Sequence, residues 1–130
     1  MRRPRWIDPR ALLLLHAETL AEHGGLAGLR DAGALDAALA RPQHVHAYEP
    51  KADVARLAAA YGFGIVRNHP FNDGNKRAGF LAIGLFLSLN DYELVTDAVE
   101  AVETILALAA GDLTETKLAA WIHQHMTRTK

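Results

Sequence analysis

Apolar spacing limits this chain more than any other feature: Ala and Leu dominate, and they recur at three and four positions rather than two. That period belongs to helices, and Gly, Pro, Asp and Asn cut the chain into short ones. A first helix is predicted over about Pro9 to Glu22, where proline suits the start and Gly24-Gly25 releases the chain; Leu13, Ala17 and Leu20 share its face. Asp31 caps a second helix carrying Leu35, Ala38 and Leu39, and Pro42 ends it. Gln43 to Pro50 is then a connection without helical period. A third helix, about Lys51 to Arg67, shows Val54, Ala58, Tyr61 and Ile65 in one stripe. Lys76 to Leu89 is the most apolar stretch and is expected to be the buried central helix, with Gly79, Ala82 and Gly84 as small surfaces for close crossings. Asn90 to Thr96 reads as a turn and a short extended piece. Asp97 and Glu100 form a capping-box pattern opening a helix with Ala98, Val102, Ile105 and Ala109 on its face, ended by Gly111. Thr114 caps the last helix, Leu113 and Leu118 standing in staple spacing and Trp121 and Ile122 turned inward. The expected fold class is all-α: a compact bundle of about six helices around a central buried helix, with one minor extended hairpin, as a single domain over 1–130.

Composition excludes several function classes. At 130 residues, 50% hydrophobic and 22% charged, the chain has the balance of one globular domain. A net charge of −1 argues against a surface that embraces nucleic acid, although a local basic pocket remains open. The absence of cysteine removes disulfides, thiolate nucleophiles and cysteine-ligated zinc. Ala11–Leu15 is too short for a secretory signal, and Ala78–Leu89 falls well below the roughly 20 residues that span a bilayer. A cytoplasmic protein with no membrane partner is therefore expected. His44 with His46, and His123 with His125, lack a third metal ligand, and His16 and His23 read as surface or helix-end residues.

One stretch does not read as a routine connection: His69-Pro70-Phe71-Asn72-Asp73-Gly74-Asn75-Lys76-Arg77. A polar loop pinned between two core helices holds its side chains in defined positions, which a reacting site requires. Gly74 permits a backbone shape other residues resist, and the N–H groups of Gly74 and Asn75 at the following helix start form an anion cradle. Lys76 and Arg77 add positive charge there, and the arginine fork matches two phosphate oxygens. Asp73 becomes intelligible beside phosphate if it holds Mg²⁺, which prefers one or two carboxylates together with phosphates and water. His69 is the reasonable general base for an attacking hydroxyl. These are the parts of phosphoryl or nucleotidyl transfer. An ordinary Asp-Gly-Asn turn flanked by surface cations is the bland reading of the same residues.

His69 to Arg77 resembles the signature of the Fic superfamily, which runs His, Pro, Phe, any residue, Asp or Glu, Gly, Asn, then Gly or Lys, then Arg. Within it the chain is similar to the death-on-curing (Doc) branch, small toxins of bacterial toxin-antitoxin pairs. Gly28-Leu29-Arg30-Asp31, Ala40-Arg41-Pro42 and the run Tyr61 to Asn68 extend the likeness over nearly the whole chain. The resemblance implies ATP and Mg²⁺ as cofactors, His69 as the base, Asp73 as the metal ligand and Gly74 as part of the cradle. It also implies that Asn75 contacts a phosphate and that Arg77 holds one. Most Fic enzymes carry Gly at the position of Lys76 and transfer AMP; Doc-like members carry Lys and resemble kinases, with the γ-phosphate presented to the hydroxyl. Lys76 therefore points to phosphoryl transfer. Pro70 and Gly74, where Doc-type toxins can carry Ile and Ala, keep AMP transfer as the alternative.

The resemblance further implies a target-aligning flap at His44, Val45, His46, Ala47 and Tyr48, a translation factor such as elongation factor Tu as substrate, and a separate antitoxin chain. Internal inhibition of the Ser/Thr-x-x-x-Glu-Gly/Asn type is not expected, because Thr96 and Glu100 are followed by Ala101. Tyr61 and Phe63 could touch nucleotide or pack in the core, and Arg67 and Asn68 could steady the loop or touch substrate. A non-catalytic helical binding or regulatory domain is the different-class alternative.

Overall fold

The computed structural model describes residues 3–130. Its helices begin where short polar side chains satisfy otherwise unpartnered amides. Asp8 opens α1 (Pro9–His23), Asp31 opens α2 (Ala32–Tyr48), and Asp53 opens α3 (Val54–Asn68). Asp97 opens α5 (Ala98–Ala110), and Thr114 opens α6 (Glu115–His125). The exception among the described helices is α4 (Asn75–Leu89), whose N-cap is Gly74, so no side chain closes its first turn. Two short strands, β1 (Tyr92–Leu94) and β2 (Met126–Arg128), pair antiparallel, with Tyr92 opposite Arg128 and Leu94 opposite Met126. The all-α class and the six helices agree with the sequence reading.

The central helix is α3, not α4 as the apolar run suggested. Eleven of the fifteen residues of α3 are buried, against seven of fifteen in α4. Ala55, Ala58, Ala59, Ala60, Gly62 and Gly64 make α3 thin enough to be enclosed by α2, α4 and α6. The closest crossing joins α3 to α4: a Cβ on Gly79 would stand 2.6 Å from Val66 Cγ2 and 3.2 Å from the Gly62 carbonyl oxygen. Gly84 has open space around its missing Cβ, so it is not a crossing residue.

Pro42 does not end α2. The helix runs through it to Tyr48, with Pro42 and Val45 buried against the core. An interior proline costs about 3 kcal/mol, but tertiary packing of an apolar face outweighs local propensity. His44, Val45, His46, Ala47 and Tyr48 are therefore helical and form no extended flap. They also lie at the wrong end: α2 starts beside Pro70, and its 17 residues carry its far end about 25 Å away.

Two faces are rotated from expectation because polar and small residues took inward places. In α1 the buried side is Leu12, His16 and Thr19, leaving Leu13 outside. In α5 it is Ala101, Ile105 and Leu108, leaving Val102 exposed. The Asp97 half of the predicted capping box forms, whereas Glu100 turns instead to Trp121 Nε1 at 3.1 Å and His125 Nε2 at 3.0 Å. Glu115, largely buried, accepts from both Arg41 and Arg56 and so ties α6 to α2 and α3. Among the described residues, no helix is long and apolar enough to cross a membrane.

Candidate active site

The site grows from the way α3 ends. His69 caps that helix in the left-handed region (φ 54°, ψ 52°), its N–H donating to the Ile65 carbonyl. The turn leaves the imidazole exposed while Pro70 and Phe71 plunge into the core. Phe71 is the pin. Its N–H donates to Asn75 Oδ1, and its carbonyl accepts from Asn75 Nδ2, both at 2.9 Å. Its ring stacks on His16 with centroids 3.7 Å apart. His16 Nε2 lies 2.8 Å from the Asp73 carbonyl; a carbonyl only accepts, so this nitrogen carries the proton. Gly74 then opens α4 at φ 76°, a backbone region that suits glycine, with its missing Cβ only 3.3 Å from His16 Nε2.

A second segment, residues 24–30, lies alongside the loop. Leu29 bridges antiparallel to Phe71, Asn72 N–H donates to the Gly28 carbonyl at 3.1 Å, and Asn72 Nδ2 donates to the Ala27 carbonyl at 3.0 Å. Leu26 N–H donates to Asp73 Oδ2 at 2.6 Å. The backbone paired with the loop is thus this glycine-rich stretch, through one bridge at Leu29, and not Gln43 to Pro50.

An open polar cavity of about 540 Å³ gathers His69, Asp73, Gly74, Asn75, Lys76 and Arg77, with His23, Gly24, Gly25 and Asn72 completing its wall. All six motif residues singled out in the sequence meet there, although Asn75 does so differently from expectation. Its side chain is 5% exposed and spent on Phe71, so only its main chain is left for an anion. Among the described residues, Lys76 and Arg77 have no carboxylate partner. Two free cations, the unclosed amides of α4 and the helix dipole therefore favour a polyanion at one place.

Beyond Lys76 and Arg77 lies a second, apolar trough of about 510 Å³, lined by Phe80, Leu94, Ala101, Val102, Ile105 and Leu106, with Thr96 and Asp97 at its edge. Tyr61 is core, its hydroxyl accepting from Ile7 N–H at 3.1 Å. Phe63 is half-buried with the guanidinium groups of Arg41 and Arg67 over its ring, and Asn68 Nδ2 ties the end of α3 to the Ala34 carbonyl. Among the described residues no three His, Cys, Asp or Glu side chains converge.

The profile of the Fic/DOC family matches residues 6–87, a span that includes α1 to α3, the loop and most of α4. The chain belongs to the Fic/DOC family. It is 34% identical over 115 residues to the protein kinase doc of Escherichia phage P1, covering 88% of this chain and 90% of that relative. It is also 41% identical over 75 residues to toxin Doc of Mycolicibacterium smegmatis, covering 57% of this chain and 58% of the other.

Sequence reasoning missed two parts of this Fic/DOC site. His16 sits at four-residue spacing between Leu12 and Leu20, which was the available signal that it faces inward. Residues 24–30 carry three glycines ahead of a capped helix, a pattern for backbone that must lie flat against a neighbour.

Proposed function

We propose that this chain is a Doc-like toxin kinase. It transfers the γ-phosphoryl group of ATP, with Mg²⁺, to a serine or threonine hydroxyl of a target protein, for which elongation factor Tu is the candidate, and so blocks translation. Residues 1–130 act as one domain, in the cytoplasm, restrained by a separate antitoxin chain. The observation that carries the reading is the single cavity that joins an exposed imidazole, a carboxylate and two unpaired cations at the open end of α4. The relative named a protein kinase agrees with it.

Each residue has a task. His69 accepts the hydroxyl proton as the attacking oxygen moves toward phosphorus. The amides at the start of α4 and the Arg77 fork hold phosphate oxygens, and Lys76 offsets charge on the group being moved. Asp73 fits a Mg²⁺ ligand: it is exposed, one oxygen is steadied by Leu26 N–H, and the other has no protein partner among the described residues. When bound there, Mg²⁺ would neutralise phosphate charge. The backbone of residues 24–30 takes the target-aligning role through main-chain groups that the loop does not use, those of Leu29 first, with hydrogen bonds indifferent to target side chains. Exposed Val99, Val102 and Leu106 beside the apolar trough suit an amphipathic helix of the antitoxin as their cover.

AMP transfer is the second reading, favoured by Pro70 and Gly74. Incubating parent and Lys76→Gly with target and ATP labelled at either the α- or the γ-phosphate separates the two. The parent deposits γ-label and the variant loses most of it; α-label deposited by the parent would replace kinase with AMP transferase.

A further inference from the structure

Arg30 stands just before the N-cap of α2, in the segment that lies along the loop. Its Nε donates to the His69 carbonyl at 2.6 Å and its Nη2 to the Asn68 carbonyl at 2.9 Å. Its own N–H donates to the Pro70 carbonyl at 2.8 Å. One residue therefore holds three successive carbonyls where α3 ends, at the place where helical carbonyls lack partners and a cation is favoured.

The two side-chain bonds have a particular geometric meaning. The Asn68 carbonyl belongs to the peptide plane before the His69 Cα, and the His69 carbonyl to the plane after it. Fixing both planes fixes φ and ψ at His69, and with them the direction of its Cα–Cβ bond. That restraint is needed here, because His69 occupies the left-handed region, which a residue with a Cβ leaves unless its surroundings over-determine it. A rigid guanidinium spans two carbonyls at once, whereas an ammonium is a single point charge.

We infer that Arg30 is a positioning residue: its guanidinium locks the peptide planes on both sides of His69 and thereby aims the imidazole at the attacking hydroxyl. The inference rests on His69 being the base of the proposed transfer.

The test compares the parent with Arg30→Met, which keeps the apolar stem, and Arg30→Lys, which keeps the charge. Phosphoryl transfer from γ-labelled ATP to elongation factor Tu is measured together with the NMR order parameter of the His69 amide. Arg30→Met should lower kcat about 10- to 100-fold while KM for ATP stays within about twofold, since Arg30 touches no part of the phosphate cradle. Arg30→Lys should recover part of the loss, and the His69 order parameter should fall toward the flexible range in the Met variant. An Arg30→Met protein with parental kcat, or one in which KM for ATP rises as steeply as kcat falls, overturns the positioning role. A parent that transfers no phosphoryl group defeats the kinase reading separately. The order parameter then decides Arg30 alone, and an unchanged value in Arg30→Met overturns it.

Discussion

Asn75→Ala separates a side chain that builds the loop from one that binds the nucleotide. Asn75 is 5% exposed and makes two bonds of 2.9 Å, one to the N–H and one to the carbonyl of Phe71, itself 1% exposed. Truncation removes both partners at once and leaves the Phe71 backbone with an unmatched donor and acceptor away from water. Each such group costs about 1–3 kcal/mol, so the variant should lose about 2–6 kcal/mol of folding stability. That is a large share of the roughly 5–15 kcal/mol that holds a domain together. Urea unfolding followed by far-ultraviolet circular dichroism gives the value, with the slope showing whether the transition stays two-state. If instead the side chain were a phosphate ligand with no structural role, the midpoint would match the parent and only nucleotide affinity would fall. A loss of less than about 0.5 kcal/mol, within the range of ordinary surface substitutions, refutes the structural assignment.

Asp73→Asn conserves size and the acceptor facing Leu26, so it should raise the Mg²⁺ concentration needed for half-maximal transfer while leaving the melting temperature nearly unchanged; identical Mg²⁺ midpoints would rule Asp73 out as the ligand. Gly79→Ala forces a Cβ to within 2.6 Å of Val66 Cγ2 and 3.2 Å of backbone, and should cost about 1–3 kcal/mol, whereas Gly84→Ala, with open space, should gain about 0.5–1 kcal/mol; equal thermal melts for the two would contradict the crossing geometry. Burial pushes the Tyr61 phenol above its ordinary value near 10, with the Ile7 N–H opposing, so its contribution is intact below pH 10 and is lost as pH rises toward the folded value. Tyr61→Phe should flatten that alkaline decline in stability, and an equally steep decline in the variant would show that other groups cause it.

The sequence made the local features legible and hid those decided by distant packing. Asp31, Asp97 and Thr114 were read as caps because a cap acts within three residues, and all three accept the expected N–H. His69 to Arg77 could be read as a site because the loop holds its own chemistry in nine consecutive residues. The partner of that loop was hidden, since nothing periodic links Leu29 to Phe71 or Arg30 to His69. Pro42 misled because a local rule set against helix continuation was outweighed by burial of Pro42 and Val45. The central helix was misjudged because α4 is richer in large apolar residues, while enclosure depends on the small ones that line α3. His16, expected at the surface or a helix end, is instead buried, and its one polar contact, to the Asp73 carbonyl, is what allows that.

The intact mass of elongation factor Tu after incubation with this protein, ATP and Mg²⁺ distinguishes phosphoryl transfer from AMP transfer and from no transfer. The expected result is a gain of about 80 Da, one phosphoryl group, with the parent chain, and none with His69→Ala, whose circular dichroism melt stays close to the parent's. A gain of about 329 Da, the mass of a transferred AMP, or an undiminished 80 Da gain with His69→Ala, would contradict it.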